Sequence, residues 1–166
     1  MKVVFFSESG IVGKVDRKFP NARNDIAWSI MMNADWCPYG KTPTEKYDLG
    51  VVTIPKTKPN LDVDWFKQYC DKIAIMQEGP HWYFQDYSVE QQFQFVENLR
   101  KADWVWCHNK SDVSYYKGLG CKDVRVMRTL MLPEGLNCQL TTSQKKGILL
   151  GGNFTSWYSG LDSYLI

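Results

Sequence analysis

The sequence lacks several patterns by which common classes of protein are recognised. Its five cysteines are widely spaced and none forms a Cys-x-x-Cys pair, so reduced thiols are expected rather than a zinc site or disulfide framework. It has no long basic run and no basic-aromatic repeat, which argues against a nucleic-acid-binding module. No apolar stretch is long enough to span a bilayer. Residues 1–6 are too short for a signal-peptide core, so we expect a cytoplasmic protein.

What the sequence contains is an alternation of short apolar runs with helical patterns. The apolar runs predict five strands at residues 2–6, 47–55, 73–76, 103–107 and 124–131, and a sixth at 147–151. Helices are predicted at 21–34, after Asp62 or Asp64, at 88–102, and from Ser111 or Asp112 to residue 118. This order predicts an α/β fold, a Rossmann-like three-layer sandwich with a mainly parallel sheet. Residues 36–47 are predicted to be a loop, and 147–151 to leave the sheet or lie at its margin.

The pattern at residues 88–102 predicts the helix most clearly. Ser88 with Gln91 three residues later forms a capping box. Its buried stripe is expected to consist of Val89, Phe93, Val96 and Leu99. The first helix, at 21–34, is expected to begin at Asn21 or Asn24, because asparagine is a good N-cap residue.

The stretch from Lys72 to Tyr87 holds the candidate catalytic residues. An apolar strand there is followed by Glu78, a Gly-Pro turn and His81. Ligands of open α/β sheets bind just past the carboxyl ends of the strands, which is where this carboxylate and imidazole are expected. The alternative is an aromatic loop in which His81 is structural.

Two further groups are expected at the same edge of the sheet. The loop after the first strand contains Ser9, Gly10 and Gly13, whose backbone amides would face a phosphate group. A plain β-to-α turn explains this loop equally well. His108 and Asn109 follow the fourth strand and would line the same cleft, since the carboxyl ends of parallel strands share one edge.

Residues 102–132, ADWVWCHNKSDVSYYKGLGCKDVRVMRTLML, resemble the end of the N-terminal domain of GT-B glycosyltransferases. In that family an Ala-Asp strand precedes a Ser-led helix, a Leu-Gly and a further strand. Residues 146–166 resemble the start of the family's second domain. The resemblance implies a Rossmann-like N-terminal domain at 1–143 and, at 144–166, a linker and the beginning of a donor-binding domain. Gly152 would lie near the diphosphate, although Asn153 replaces the arginine that often follows it.

The resemblance implies transfer of a sugar from a nucleotide-sugar donor to an unknown acceptor, with no cofactor and no bound metal. Glu78 or His81 would be the base, and the unperturbed pKa of histidine suits that role better. The 166 residues alone are expected to show no transfer and at most weak nucleotide binding. The alternative is a non-catalytic, flavodoxin-like module in which the same cleft binds a ligand or partner and nearby aromatics provide the contact surface.

Overall fold

The computed structural model describes residues 1–17, 23–53, 61–77, 87–130 and 132. The strands of this part are β1 Val3–Ser7, β2 Gly13–Lys14, β3 Asp35–Pro38, β4 Tyr47–Thr53, β5 Cys70–Met76, β6 Trp104–Cys107 and β7 Val124–Val126. The helices are α1 Asn24–Met31, α2 Val63–Lys67, α3 Val89–Lys101 and α4 Asp112–Gly118.

All these strands form one sheet in the order β2-β3-β1-β4-β5-β6-β7. Only the two-residue β2 is antiparallel to its neighbour. The predicted Rossmann-like α/β fold is therefore confirmed, and the first five predicted strands all belong to its parallel part. Counted without β2, the strands run 2-1-3-4-5-6, the flavodoxin-like order, which reverses direction between β1 and β4.

Each face of the sheet carries its own core, because successive strand residues point to opposite faces. One core contains Val3 and Phe5 of β1 together with Ile26 of α1. The other contains Val4 and Phe6 together with buried side chains of α2, α3 and α4, namely Val63, Phe66, Phe95, Leu99 and Tyr116. The sheet is thus the middle of three layers, with α1 on one side and the other helices opposite.

The expected loop at 36–47 is wrong at its start, where β3 forms. Asp35–Pro38 pairs with β1 on one side and with β2 on the other. Trp36 and Cys37 are buried in opposite cores, as alternation requires. The two prolines and the turn residues that suggested a loop lie at or after the last residue of this strand, where Pro38 needs no ladder hydrogen bond.

The capping box of α3 is confirmed, and so is the burial of Leu99, but the rest of the predicted buried stripe is not. Val89 and Phe93 are 64% and 69% exposed, and Val96 is only partly buried. Besides Leu99, the helix buries Phe95 and Asn98. Because Asn98 is polar, a hydrophobicity pattern does not identify this face as buried. The Asn98 side chain accepts a hydrogen bond from the Val63 amide (3.2 Å) and donates one to the Leu61 carbonyl. These two bonds fix the start of α2.

The four described cysteines are all buried free thiols, in keeping with the reduced thiols expected. Among the described residues, no helix combines the length and apolar character that a membrane crossing requires. Cys138, the predicted strand at 147–151 and the expected boundary between residues 143 and 144 lie outside the described residues.

Gly50→Ala is expected to lower the free energy of unfolding by about 1–3 kcal/mol. Gly50 lies in β4 near the middle of the sheet, where an added Cβ would stand 2.7 Å from Cys70 Sγ and 3.1 Å from Ile73 Cδ1. The matched control is Gly118→Ala in α4, where, apart from its chain neighbours and the backbone of its own helix, no atom of the described residues lies within 4 Å of the new methyl group. Since alanine favours helix, this variant should gain roughly 0.5 kcal/mol. Urea unfolding measures both, and equal effects would contradict the close packing at Gly50.

Candidate functional site

A cleft opens at the carboxyl edge of the sheet, on the side covered by α1. We call it the polar cleft; its volume is about 270 Å³. The strand ends contribute Thr53, Met76, Gln77 and His108. The start of α1 contributes Arg23, Asn24 and Asp25. Thr53 and Met76 are register partners on β4 and β5, so the cleft lies next to the point where the strand order reverses.

The side of the cleft formed by α1 is held by an ion pair whose carboxylate is buried and whose guanidinium is partly exposed. Asp25 is 4% exposed and accepts two hydrogen bonds from the Arg23 guanidinium, at 2.7 and 3.1 Å. The Ser7 hydroxyl, at the end of β1, donates to the same carboxylate at 2.9 Å. The Ile26 amide also donates to Asp25 Oδ1, at 2.9 Å, which holds the carboxylate at the first turn of α1. The charges of Arg23 and Asp25 therefore compensate each other.

The start of α1 differs from the prediction. Arg23 occupies the N-cap position without a side-chain cap bond, and Asn24 is the first helical residue. Asn21 lies outside the described residues. The side-chain oxygen of Asn24 does not cap the helix but accepts a hydrogen bond from the Leu130 amide, at 2.8 Å. This bond joins α1 to the segment that follows β7.

Gln77 joins the ends of β5, β6 and α4. Its side chain is 5% exposed, donates to Asp112 at 2.9 Å and accepts from the His108 backbone amide at 3.0 Å. The last residue before Glu78 is therefore fixed against the cleft by two hydrogen bonds.

The surroundings of His108 define which nitrogen carries the proton in its neutral ring. His108 Nδ1 lies 3.2 Å from the Met127 carbonyl oxygen, which can only accept. Nε2 lies 3.5 Å from Asn24 Nδ2, which can only donate. The Leu130 amide fixes that orientation of the Asn24 side chain, since a backbone N–H must bond to the oxygen. Both contacts assign the proton to Nδ1. The lone pair of Nε2 has one long contact among the described residues, to Asn24, which lines the cleft together with His108.

Thr53 lines the polar cleft, and its hydroxyl has no partner among the described residues. The residue is 3% exposed, and Oγ1 is the one buried side-chain polar atom of the described residues with no hydrogen bond. An unsatisfied buried group of this kind costs about 1–3 kcal/mol. A ligand in the cleft would supply the missing partner.

A second cleft, of about 250 Å³, lies on the other side of Arg23, and we call it the apolar cleft. It is lined mainly by the loop after β1 and by Ile26 and Trp36. Trp36 Nε1 donates to the Ser9 carbonyl at 2.7 Å, which holds this loop over the indole ring. Gly10 has φ +117°, and a Cβ there would stand 2.6 Å from Trp36 Nε1, so the loop requires glycine.

The structure divides the predicted ligand-binding residues between these clefts. Ser9 and Gly10 line the apolar cleft, whereas His108 lines the polar cleft. Gly13 lies in β2, paired with Trp36. Asn109 is exposed and lines neither cleft. Its backbone carbonyl accepts a hydrogen bond from the Asp112 amide at 3.2 Å, in the turn that leads into α4.

The candidate catalytic residues Glu78 and His81, and Gly152, lie outside the described residues. Residues that the sequence reasoning missed are Arg23, Asn24, Asp25, Thr53 and Gln77. For two of them a signal was present: Thr53 and Gln77 are the first polar residues at the ends of apolar runs, as Ser7 is in β1.

Within the described residues, no group of histidine, cysteine, aspartate or glutamate is arranged to hold a metal ion. The chain does contain one Asp-x-Asp sequence, at residues 62–64. Asp62 accepts from the Asp64 amide at 3.0 Å and caps α2. Asp64 pairs with Lys101 at 2.5 Å, which lowers the pKa of that carboxyl. These carboxylates therefore stabilise α2 and its contact with α3.

No protein-family model matches this sequence, and neither a curated protein nor a solved structure matches it significantly.

Proposed function

We propose that this chain is the acceptor-side domain of a GT-B glycosyltransferase that uses a nucleotide-sugar donor. The observation that carries the proposal is the polar cleft at the carboxyl edge of a Rossmann-like sheet, with Gln77 fixed in its lining and Glu78 next in the chain. This is where α/β folds bind ligands. The resemblance of residues 102–132 to the glycosyltransferase pattern adds the reaction class.

In this proposal the polar cleft receives the acceptor, and Glu78 or His81 takes the proton of the attacking hydroxyl. The oxygen of that hydroxyl bonds to the anomeric carbon of the donor as the nucleotide diphosphate leaves. Backbone amides of the Ser9-Gly10 loop would face the diphosphate, with Gly13 behind them and Gly152 on the donor side. His108 supports the acceptor, while Asn109 shapes the turn behind it.

The test is turnover of nucleotide sugars by the longest natural protein that contains these 166 residues. Donors with uracil, guanine, adenine and thymine bases are offered with a mixture of simple glycosides, and release of nucleotide diphosphate is measured. We expect release from at least one donor, dependent on the glycoside. The absence of release from every donor, together with no donor binding by calorimetry, would contradict the proposal.

A non-catalytic ligand-binding module is the second candidate, and the strand order favours it. The order 2-1-3-4-5-6 is that of flavodoxin-like folds, which bind their ligand where the order reverses, here between β1 and β4. Tight binding of a flavin or nucleotide to the 166-residue chain without any turnover would favour this candidate over the first.

A further inference from the structure

Two residues of the polar cleft each carry a polar atom whose hydrogen-bonding capacity the described residues use weakly or not at all. Thr53 Oγ1 is buried and has no partner among them. His108 Nε2 carries a lone pair whose one contact, to Asn24 Nδ2, is long at 3.5 Å. The two residues belong to different strand ends, β4 and the turn after β6, and line the same cavity.

The chemistry of these two atoms restricts the ligand. Since the proton of the neutral ring is on Nδ1, Nε2 can only accept, so the ligand must donate a hydrogen bond there. Fully ionised phosphate and carboxylate groups have no proton to donate. The Thr53 hydroxyl both donates and accepts. A ligand hydroxyl, which also does both, is complementary to the pair.

The other polar side chains of the cleft argue against a charged ligand. Arg23 and Asp25 are bonded to each other at 2.7 Å, so the lining carries compensated rather than net charge. Gln77 uses its amide on Asp112 and on the His108 backbone. An ammonium group would therefore find no uncompensated carboxylate in the cleft lining.

We propose that the polar cleft binds one unit of an uncharged carbohydrate, with a sugar hydroxyl held between Thr53 Oγ1 and His108 Nε2. The volume of about 270 Å³ is close to the lower end of small-molecule sites and suits a single sugar ring. This inference rests on the proposed function, because it names the class of acceptor that the same cleft would receive.

The test uses the 166-residue chain labelled with ¹⁵N in its two histidines. The ring nitrogens of His108 are assigned with a His81→Gln variant. We expect a protonated Nδ1 and a bare Nε2, and an upfield shift of Nε2 on addition of methyl glucoside, mannoside or galactoside. Inorganic sulfate, which is fully ionised near neutral pH and has no proton to donate, is the counter-probe and should leave Nε2 unchanged. A response to sulfate but to none of the glycosides, or a proton found on Nε2, would overturn the proposal.

The companion variant is Thr53→Val, which removes the hydroxyl and keeps the β-branched shape. Glycoside affinity should fall about 10-fold, the usual effect of one lost hydrogen bond, while the melting temperature stays equal or rises. Thr53→Ser should retain binding, and Thr42→Val, the same change at an exposed position outside the polar cleft, should alter neither quantity. Full glycoside affinity in Thr53→Val overturns the inference.

These results separate the inference from the proposed function. If glycosides bind through Thr53 and His108 but no donor is turned over, the glycosyltransferase proposal fails and the sugar site stands. If donors are turned over while the ring nitrogens of His108 ignore every glycoside, the sugar site fails alone.

Discussion

On the proposed function, at least one of the variants Glu78→Gln and His81→Ala should transfer sugar about 100-fold more slowly than the unaltered protein, the usual scale for a lost acid–base group. The physical reason is topological. β5 ends at Met76, and the next residue, Gln77, lines the polar cleft. Glu78 therefore follows a cleft residue directly in the sequence. On the proposed function both groups face the reactants rather than the core, so the melting temperature should change little.

The measurement is the transfer rate with saturating donor, made on the longest natural protein containing this sequence and paired with thermal unfolding. Glu97→Gln is the matched control: it makes the same carboxylate-to-amide change on the exposed surface of α3, where Glu97 pairs with Arg100. It should leave the rate unaltered. Early melting of both test variants with normal transfer would show that Glu78 and His81 are structural residues.

Raising the pH from 9 to 12 should lower the free energy of unfolding by on the order of 4 kcal/mol through Cys70 alone. Burial, assisted by the charge of Asp71, raises the pKa of this thiol from its ordinary value near 9 to about 12. Below pH 9 the thiol is protonated in both states and its contribution is fully present. Between pH 9 and 12 the unfolded chain loses the proton while the folded protein keeps it, so stability falls as the pH rises.

Burial likewise raises the pKa of Cys121 to about 11, which steepens the decline in the same direction. Urea unfolding at a series of pH values measures the slope. Cys70→Ala should be less stable at pH 8, because it leaves a cavity beside Gly50, but its stability should decline less between pH 9 and 12. An identical slope in the variant would show that Cys70 does not govern alkaline unfolding.

The fold could be predicted because its signals are local. An apolar run such as residues 73–76 predicts a buried strand wherever it occurs, and Ser88 with Gln91 caps a helix through bonds between neighbours in sequence. β3 was missed because a four-residue strand next to turn residues is defined by its partners β1 and β2. Of the buried face of α3 only Leu99 was predicted, because Asn98 is buried by its bonds to the start of α2 rather than by apolar character.

The polar cleft was only partly predictable, for a related reason. That His108 follows a strand can be inferred from order alone, so its place at the carboxyl edge is accessible to sequence reasoning. The ion pair of Arg23 and Asp25 with Ser7 is not, because Ser7 and Asp25 are 18 residues apart and meet only through the packing of α1 on β1. Nor does any pattern show that the hydroxyl of Thr53 lacks a partner, since that follows from every neighbouring atom in the folded protein.

The fixed hydrogen-bond partners of the cleft side chains have a stereochemical consequence. Asn24 is held by the Leu130 amide, His108 by the Met127 carbonyl, and Gln77 by bonds at both ends of its amide. Because these bonds form without the ligand, the side chains cannot rotate to match a ligand hydroxyl that points in another direction. In sites of this kind, a ligand that leaves a buried polar group unpaired loses far more affinity than a ligand that carries an extra methylene group. Two sugars that differ only in the configuration at one carbon would therefore be distinguished here by geometry, without any difference in charge or size.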